Sequence, residues 1–172
     1  RNHADIVYKS SYRHRTSQRI LKSTSDLTLI RECPMPVMLV KEVERPEVPV
    51  ILAAIDISVR TQPYEKLNEH ILELSRKLVE TRLADVHVVN AFPDFRVTPD
   101  PQRLIEVSGL DKSKIHIRLG PPDRVIVEEA KRLGANLVVV GNSHRSGLAA
   151  MLHGNTAEKI LDKLDCNVLA MP

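Results

Sequence analysis

Tryptophan is absent from this chain of 172 residues, and aromatic residues amount to only 3%. The core therefore has to be aliphatic, built of Ile, Val, Leu and Ala, a composition suited to buried parallel strands between helices. Without interleaved aromatics there is also no stacking platform for single-stranded nucleic acid. Only two cysteines occur, Cys33 and Cys166, each just before an apolar run. That is too few for a disulfide framework or a zinc cage, and both read as small buried hydrophobes. No apolar run approaches the roughly 18 residues that span a bilayer. The opening Arg1-Asn2-His3 lacks a leader pattern, so the expectation is a cytoplasmic, reduced protein without a membrane partner. Glycine is scarce and uneven. All six glycines lie between Gly109 and Gly154, so a backbone cradle for phosphate belongs to the C-terminal half.

What is present is ordinary for a folded domain: 42% hydrophobic, 27% charged and a net charge of +3. Acidic and basic residues alternate along the chain. The cluster Arg13, His14, Arg15, Arg19 and Lys22 reads as a solvated face, and no nucleic-acid partner is expected. The seven histidines are scattered, with no i, i+4 pair beside a carboxylate, so no metal site is expected.

Periodicity divides the chain. Val50 to Ile55 is a continuous apolar run ending at Asp56. Leu67, Ile71, Leu74 and Leu78 mark one face of a helix over 62–82. Strands follow at 86–92 and 115–119, then a helix over 123–133, a strand at 137–140 stopped by Gly141, a helix over 156–164 and a strand at 168–171. Strands alternating with helices imply a parallel α/β sheet. The proline-bearing segment 93–114 leaves room only for a short helix at 102–107. Before residue 42 stand a strand at 6–8, a helix over 25–32 and a strand at 37–40, followed by a proline- and glutamate-rich linker over 42–48.

An internal similarity joins the two ends. "ADIVYKSS…LTLIRECPMPVMLV" resembles "ANLVVVGNS…EKILDKLDCNVLAM", with Ala4 set against Ala135 and Cys33 against Cys166, two residues having been gained between. Residues 1–41 thus read as the last strand–helix–strand of one module, and 49–172 as a whole module of the same kind.

The chemistry-bearing stretch is "VVVGNSHRSGLAAMLHGNTAEKI". A buried strand runs into Gly141, and Gly154-Asn155-Thr156 opens a helix, with Asn155 as N-cap and Glu158 three residues on. Glycine turns and a helix start bind anions; the plain alternative is a strand end, a turn and a cap. Asp56, at the end of the first buried strand, either meets a ribose or base at the carboxyl edge of the sheet or simply begins a loop. Ser143 and His144 are adjacent, but no G-x-S-x-G elbow surrounds them.

Residues 49–172 resemble a universal stress protein domain in "VILAAIDIS", "HVVNAF", "GPPDRVIVEEAKRLGANLVVVG" and "GNTAEKILDKLDCNVLAMP". Residues 4–41, with "HADIVYKSS" and "LIRECPMPVMLVK", resemble the end of a preceding copy, as in the tandem (E-type) members. The resemblance implies a five-stranded parallel sheet with helices on both faces, Rossmann-like and similar to the adenine nucleotide α-hydrolases. It implies self-association or a pseudo-dimer through the last strands, and a regulatory rather than enzymatic role with at most weak ATP hydrolysis. It also implies ATP or another adenine nucleotide as ligand, held by Ala54, Asp56, Ala91, Gly141, Ser143, His144, Gly154, Asn155 and Thr156. The family's G-x-x-G, nine residues, then G-S/T is met at Gly141 and Gly154. His144 stands at the second glycine and Asn155 at the Ser/Thr, with Thr156 one place later. The alternative is an interaction module without a small ligand, its loop altered by His144. In the earlier copy Ser10 stands where Gly141 does and no glycine follows, so no nucleotide is expected there.

Overall fold

A computed structural model describes residues 5–11, 19–42, 46–58, 61–80, 83–142 and 156–172. Its elements are β1 (Val7–Ser10), α1 (Arg19–Glu32), β2 (Val37–Val40), β3 (Val50–Ala54), α2 (Gln62–Glu80), β4 (Asp85–Phe92), α3 (Pro101–Ser108), β5 (Ile115–Leu119), α4 (Pro122–Leu133), β6 (Leu137–Gly141), α5 (Thr156–Leu161) and β7 (Asn167–Met171). Short 3-10 turns lie at 95–97 and 112–114. The helix expected over 102–107 is α3, started by the Asp100 side chain and ended by Gly109 at φ 68°.

All strands form one sheet in the order β1-β2-β7-β6-β3-β4-β5. The sheet has seven strands, not five. The five strands from residue 50 onwards are mutually parallel, as expected, but β2 pairs antiparallel with β7 and carries β1 beyond it. The difference has a physical cause: β7 would otherwise be an open edge with unpaired backbone groups and an apolar face.

Two cores explain the strand order. Leu67, Ile71 and Leu72 of α2 and Leu104 of α3 pack on Ile51, Ala53, Val86, Val88 and Val139. On the other face Ile126 and Ala130 of α4, Ile160 of α5 and Ile30 of α1 pack on Leu52, Val89, Val138 and Val168. From β3 the chain steps outward to β4 and β5 with its helices on one face. It then returns through α4 to β6 and β7 with its helices on the other face. A single crossover hand requires that change of face when the direction reverses, and the reversal falls between β3 and β6.

Register relates the two ends of the chain. Val7 pairs with Val37 and Leu137 with Asn167, each a separation of 30 residues. Cys33 N–H donates to the Leu29 carbonyl at 3.0 Å, and Leu164 N–H to Ile160 at 3.0 Å. Ser11 N–H donates to Val40 at 2.8 Å, and Asn142 N–H to Met171 at 2.6 Å. These features repeat at one constant offset, which sets Cys33 against Leu164. The alignment of Cys33 with Cys166 is therefore corrected, and no residues are gained between the strands. Both thiols are free; Cys166 is buried and Cys33 half-buried.

The ends also exchange helix caps. The last carbonyls of a helix lack intrahelical donors. Lys41, after β2, donates from Nζ to the Leu161 and Leu164 carbonyls at 2.7 and 2.5 Å, while Asn142 donates from Nδ2 to Ile30 of α1.

Candidate functional site at the carboxyl edge

The strand order reverses between β3 and β6, and in open α/β sheets ligands bind beyond the carboxyl ends of the strands at such a reversal. Ala54 lies opposite Val140 in the ladder, so Gly141, the last residue of β6, is level with Ile55, and Asp56 follows one residue further on. The expectation that the strands bearing Asp56 and Gly141 are neighbours is met by β3 and β6.

Three asparagines shape the rim, none of them singled out from sequence. Asn68 of α2 clamps the backbone of Asp56, accepting from its N–H at 3.3 Å and donating to its carbonyl at 2.7 Å. Asn90, fully buried in β4, accepts from Ile57 N–H at 3.1 Å and donates to the Ala91 carbonyl at 3.0 Å. Asn142, 3% exposed, holds the first residue after Gly141 against β7 and α1. A buried amide inside an apolar stretch such as His87-Val88-Val89-Asn90 was the available signal, because desolvating it without partners is costly.

Asp56 is half-buried, and its Oδ1 accepts from the Ser58 N–H at 2.9 Å and hydroxyl at 2.5 Å. The carboxylate thus closes an Asx-type turn of its own loop. Ala54 (9% exposed) and half-buried Ala91 lie on the face covered by α4 and α5, where small side chains keep the floor low. Gly141 has a packing reason as well: an added Cβ would stand 2.8 Å from Leu67 Cγ. Thr156, half-buried, opens α5. Ser143, His144, Gly154 and Asn155 lie outside the described residues, as do Arg13, His14 and Arg15.

A second polar group, also missed, lies beneath α4. His87 on β4 and His116 on β5 are buried, with His87 Nδ1 and His116 Nε2 2.8 Å apart. His116 Nδ1 faces Glu129 Oε1 at 3.1 Å. The two histidines are far apart in sequence but both occupy inward positions of adjacent strands. Burial pulls His116 down to about 4 from 6.5, against the raising effect of Glu129, and lowers His87 in the same sense with Lys114 assisting. Burial pushes the Glu129 carboxyl up, but the Arg132 hydrogen bond and the Arg118, His116 and Arg132 charges outweigh it and leave it below its usual range. Among the described residues no group of three or more His, Cys, Asp or Glu is arranged to hold a metal ion, and no helix is long and apolar enough to cross a membrane.

A doubly wound, mostly parallel sheet with helices on both faces and a reversal of strand order between β3 and β6 defines an open α/β architecture. Residues 50–172 match the model of the universal stress protein family. The chain belongs to that family. It is 31% identical to a universal stress protein E homolog of Haemophilus influenzae, over 99% of this chain and 62% of the relative. A solved structure of a putative universal stress protein from Pseudomonas aeruginosa superposes with a TM-score of 0.82 at 27% identity, covering 97% of this chain and 63% of that one. The chain thus spans about three-fifths of the length of these relatives. A universal stress protein solved in complex with cAMP shares the fold, at 18% identity and a TM-score of 0.51 over 74% of this chain and 98% of that one.

Proposed function

We propose that this stress-response protein is a regulatory module that takes an adenine nucleotide, or another phosphate-bearing ligand, in the crevice between Asp56 and the segment beginning at Gly141. One observation carries the reading: Asp56 and Gly141 leave adjacent parallel strands at the point where the strand order reverses. Asp56 would accept hydrogen bonds from ribose or base, Ala54 and Ala91 would floor the pocket, and the 141–156 segment would face the phosphates. The cAMP carried by the distant relative supports an adenine ligand for this fold. No catalytic step is assigned beyond weak ATP hydrolysis at most, and the setting is cytoplasmic.

Residues 1–41 read as the closing strand–helix–strand of a second copy, with 42–48 a linker and 49–172 the complete domain. The constant offset between the paired strands supports this, and the β2–β7 pair is then a pseudo-dimer contact. Titration calorimetry with ATP, ADP and cAMP tests the ligand. Binding is expected, weakened about tenfold or more by Asp56→Ala through loss of a charge-assisted hydrogen bond. Absence of heat together with an unchanged melting temperature removes the nucleotide.

Two details favour a ligand-free interaction module instead: Leu67 alone explains a glycine at 141, and Ser58 already occupies Asp56. On that second reading His144→Gly creates no ATP binding; heat appearing only in this variant assigns the loss of the ligand to His144.

A further inference from the structure

Helix α1 ends on a carbonyl that its own sequence cannot serve. Cys33 N–H closes the helical ladder on the Leu29 carbonyl at 3.0 Å. The next donor, for the carbonyl of Ile30, would be the amide of residue 34, but Pro34 has no N–H. Ile30 is only 1% exposed, so leaving that carbonyl unpaired would be costly. The donor comes from 112 residues away, as Asn142 Nδ2. A carbonyl partner requires the NH2 end of the amide, which fixes the orientation of the Asn142 side chain. Asn142 is itself 3% exposed, and its N–H donates to the Met171 carbonyl at 2.6 Å.

The equivalent carbonyl of α5 is also served across the β2–β7 seam. At the offset that sets Cys33 against Leu164, Ile30 corresponds to Leu161, whose carbonyl accepts from Lys41 Nζ at 2.7 Å. The two rim residues behave differently. Ser11, which corresponds to Asn142, turns its hydroxyl to Asp26 of the adjoining α1 at 3.0 Å. The rim that carries Gly141, unlike the rim that carries Ser10, is thus bonded to a helix from the far side of the seam.

Gly141 is the last residue of β6 and the start of the segment proposed above to face the phosphates. We infer that Asn142 is a positioning residue: it fixes the carboxyl end of β6 on the carbonyl that Pro34 orphans, so that α1 sets the affinity of the neighbouring crevice. This rests on the nucleotide reading of that crevice. Coupling between two sites is reciprocal, so nucleotide at the rim steadies the end of α1 in turn. The plain alternative is that Asn142 only caps α1. Pro34→Ala separates the two, because it returns an N–H to the place where Ile30 needs one.

Calorimetry with ATP, ADP and cAMP on the whole chain, beside thermal melting, is the test. Asn142→Ala should weaken binding about tenfold, an ordinary size for such coupling, and lower the melting temperature. Adding Pro34→Ala to Asn142→Ala should raise the melting temperature again without restoring affinity, since Ile30 regains a donor while the rim stays untied. Saturating nucleotide should slow exchange of the Cys33 amide in the wild type and not in Asn142→Ala. Wild-type affinity in Asn142→Ala, or recovery of both affinity and melting in the double variant, would overturn the inference. Exchange in the nucleotide-free protein needs neither rescue nor ligand. Corrected for intrinsic rates, the amide of residue 142 should exchange about tenfold faster in Asn142→Ala while Val139 and Val140 keep their protection. Unchanged protection at 142 would also overturn it. A wild type that binds none of the three nucleotides removes the ligand reading and the control of affinity with it, an outcome distinct from equal binding by wild type and variant.

Discussion

Gly141 lies with its α-carbon against the buried side chain of Leu67, which would have to shift to admit a methyl group. Gly141→Ala should therefore lower unfolding stability by about 1–3 kcal/mol, the usual cost of overpacking. Urea denaturation measures this, and adding Leu67→Ala should recover part of the loss that Gly141→Ala causes in that smaller background. No change on Gly141→Ala would leave anion binding as the reason for glycine there. The position was legible from sequence because glycine after an apolar strand is conspicuous. Its packing reason was not, because Leu67 is 74 positions away and only the fold brings α2 over β6. Asp56 was likewise legible as a strand-end carboxylate, whereas the Asn68, Asn90 and Asn142 clamps depend on partners no local pattern names.

Elements with strong periodicity were found within a few residues, β2 and β5 at their observed bounds. Helix α1 begins at Arg19 rather than near residue 25, since its first turns carry few apolar residues to set a period. Helix α5 ends at Leu161 rather than residue 164. Its terminal carbonyl at Leu161 and that of Leu164 beyond it accept from Lys41, a partner that no reading of residues 156–164 could supply. Lys41→Met keeps the aliphatic stem but withdraws the donor from two terminal carbonyls. A loss of about 1–2 kcal/mol is expected for such charge-assisted bonds, with exchange protection falling first in α5. Equal loss of protection in α3, remote from the cap, would contradict a local effect.

For the molecule as a whole, the residues conveyed the parallel domain and the similarity between its two ends, whereas a pseudo-dimer through the last strands was expected from the family resemblance alone. Strand pairing across 129 residues between Leu39 and Val168, unlike a helical period, leaves no local trace. Removing residues 1–42 should bare the β7 edge and the core surface around Val168 and Ala170, together with the uncapped end of α5. The shortened chain is expected to self-associate and bind a hydrophobic dye, whereas the full chain does neither. Sedimentation at several concentrations measures this, and a well-folded monomer would refute it.

The antiparallel β2–β7 seam also reverses the polarity of the sheet at one place. Gly141 and Asn142 emerge on one rim, while Ser10 and Ser11, the latter tied to α1 through Asp26, emerge on the opposite rim. An occupant of the first rim and a protein seated on the second would never compete for space. Influence between them would have to run lengthwise along the strands and through the Asn142–Ile30 tether.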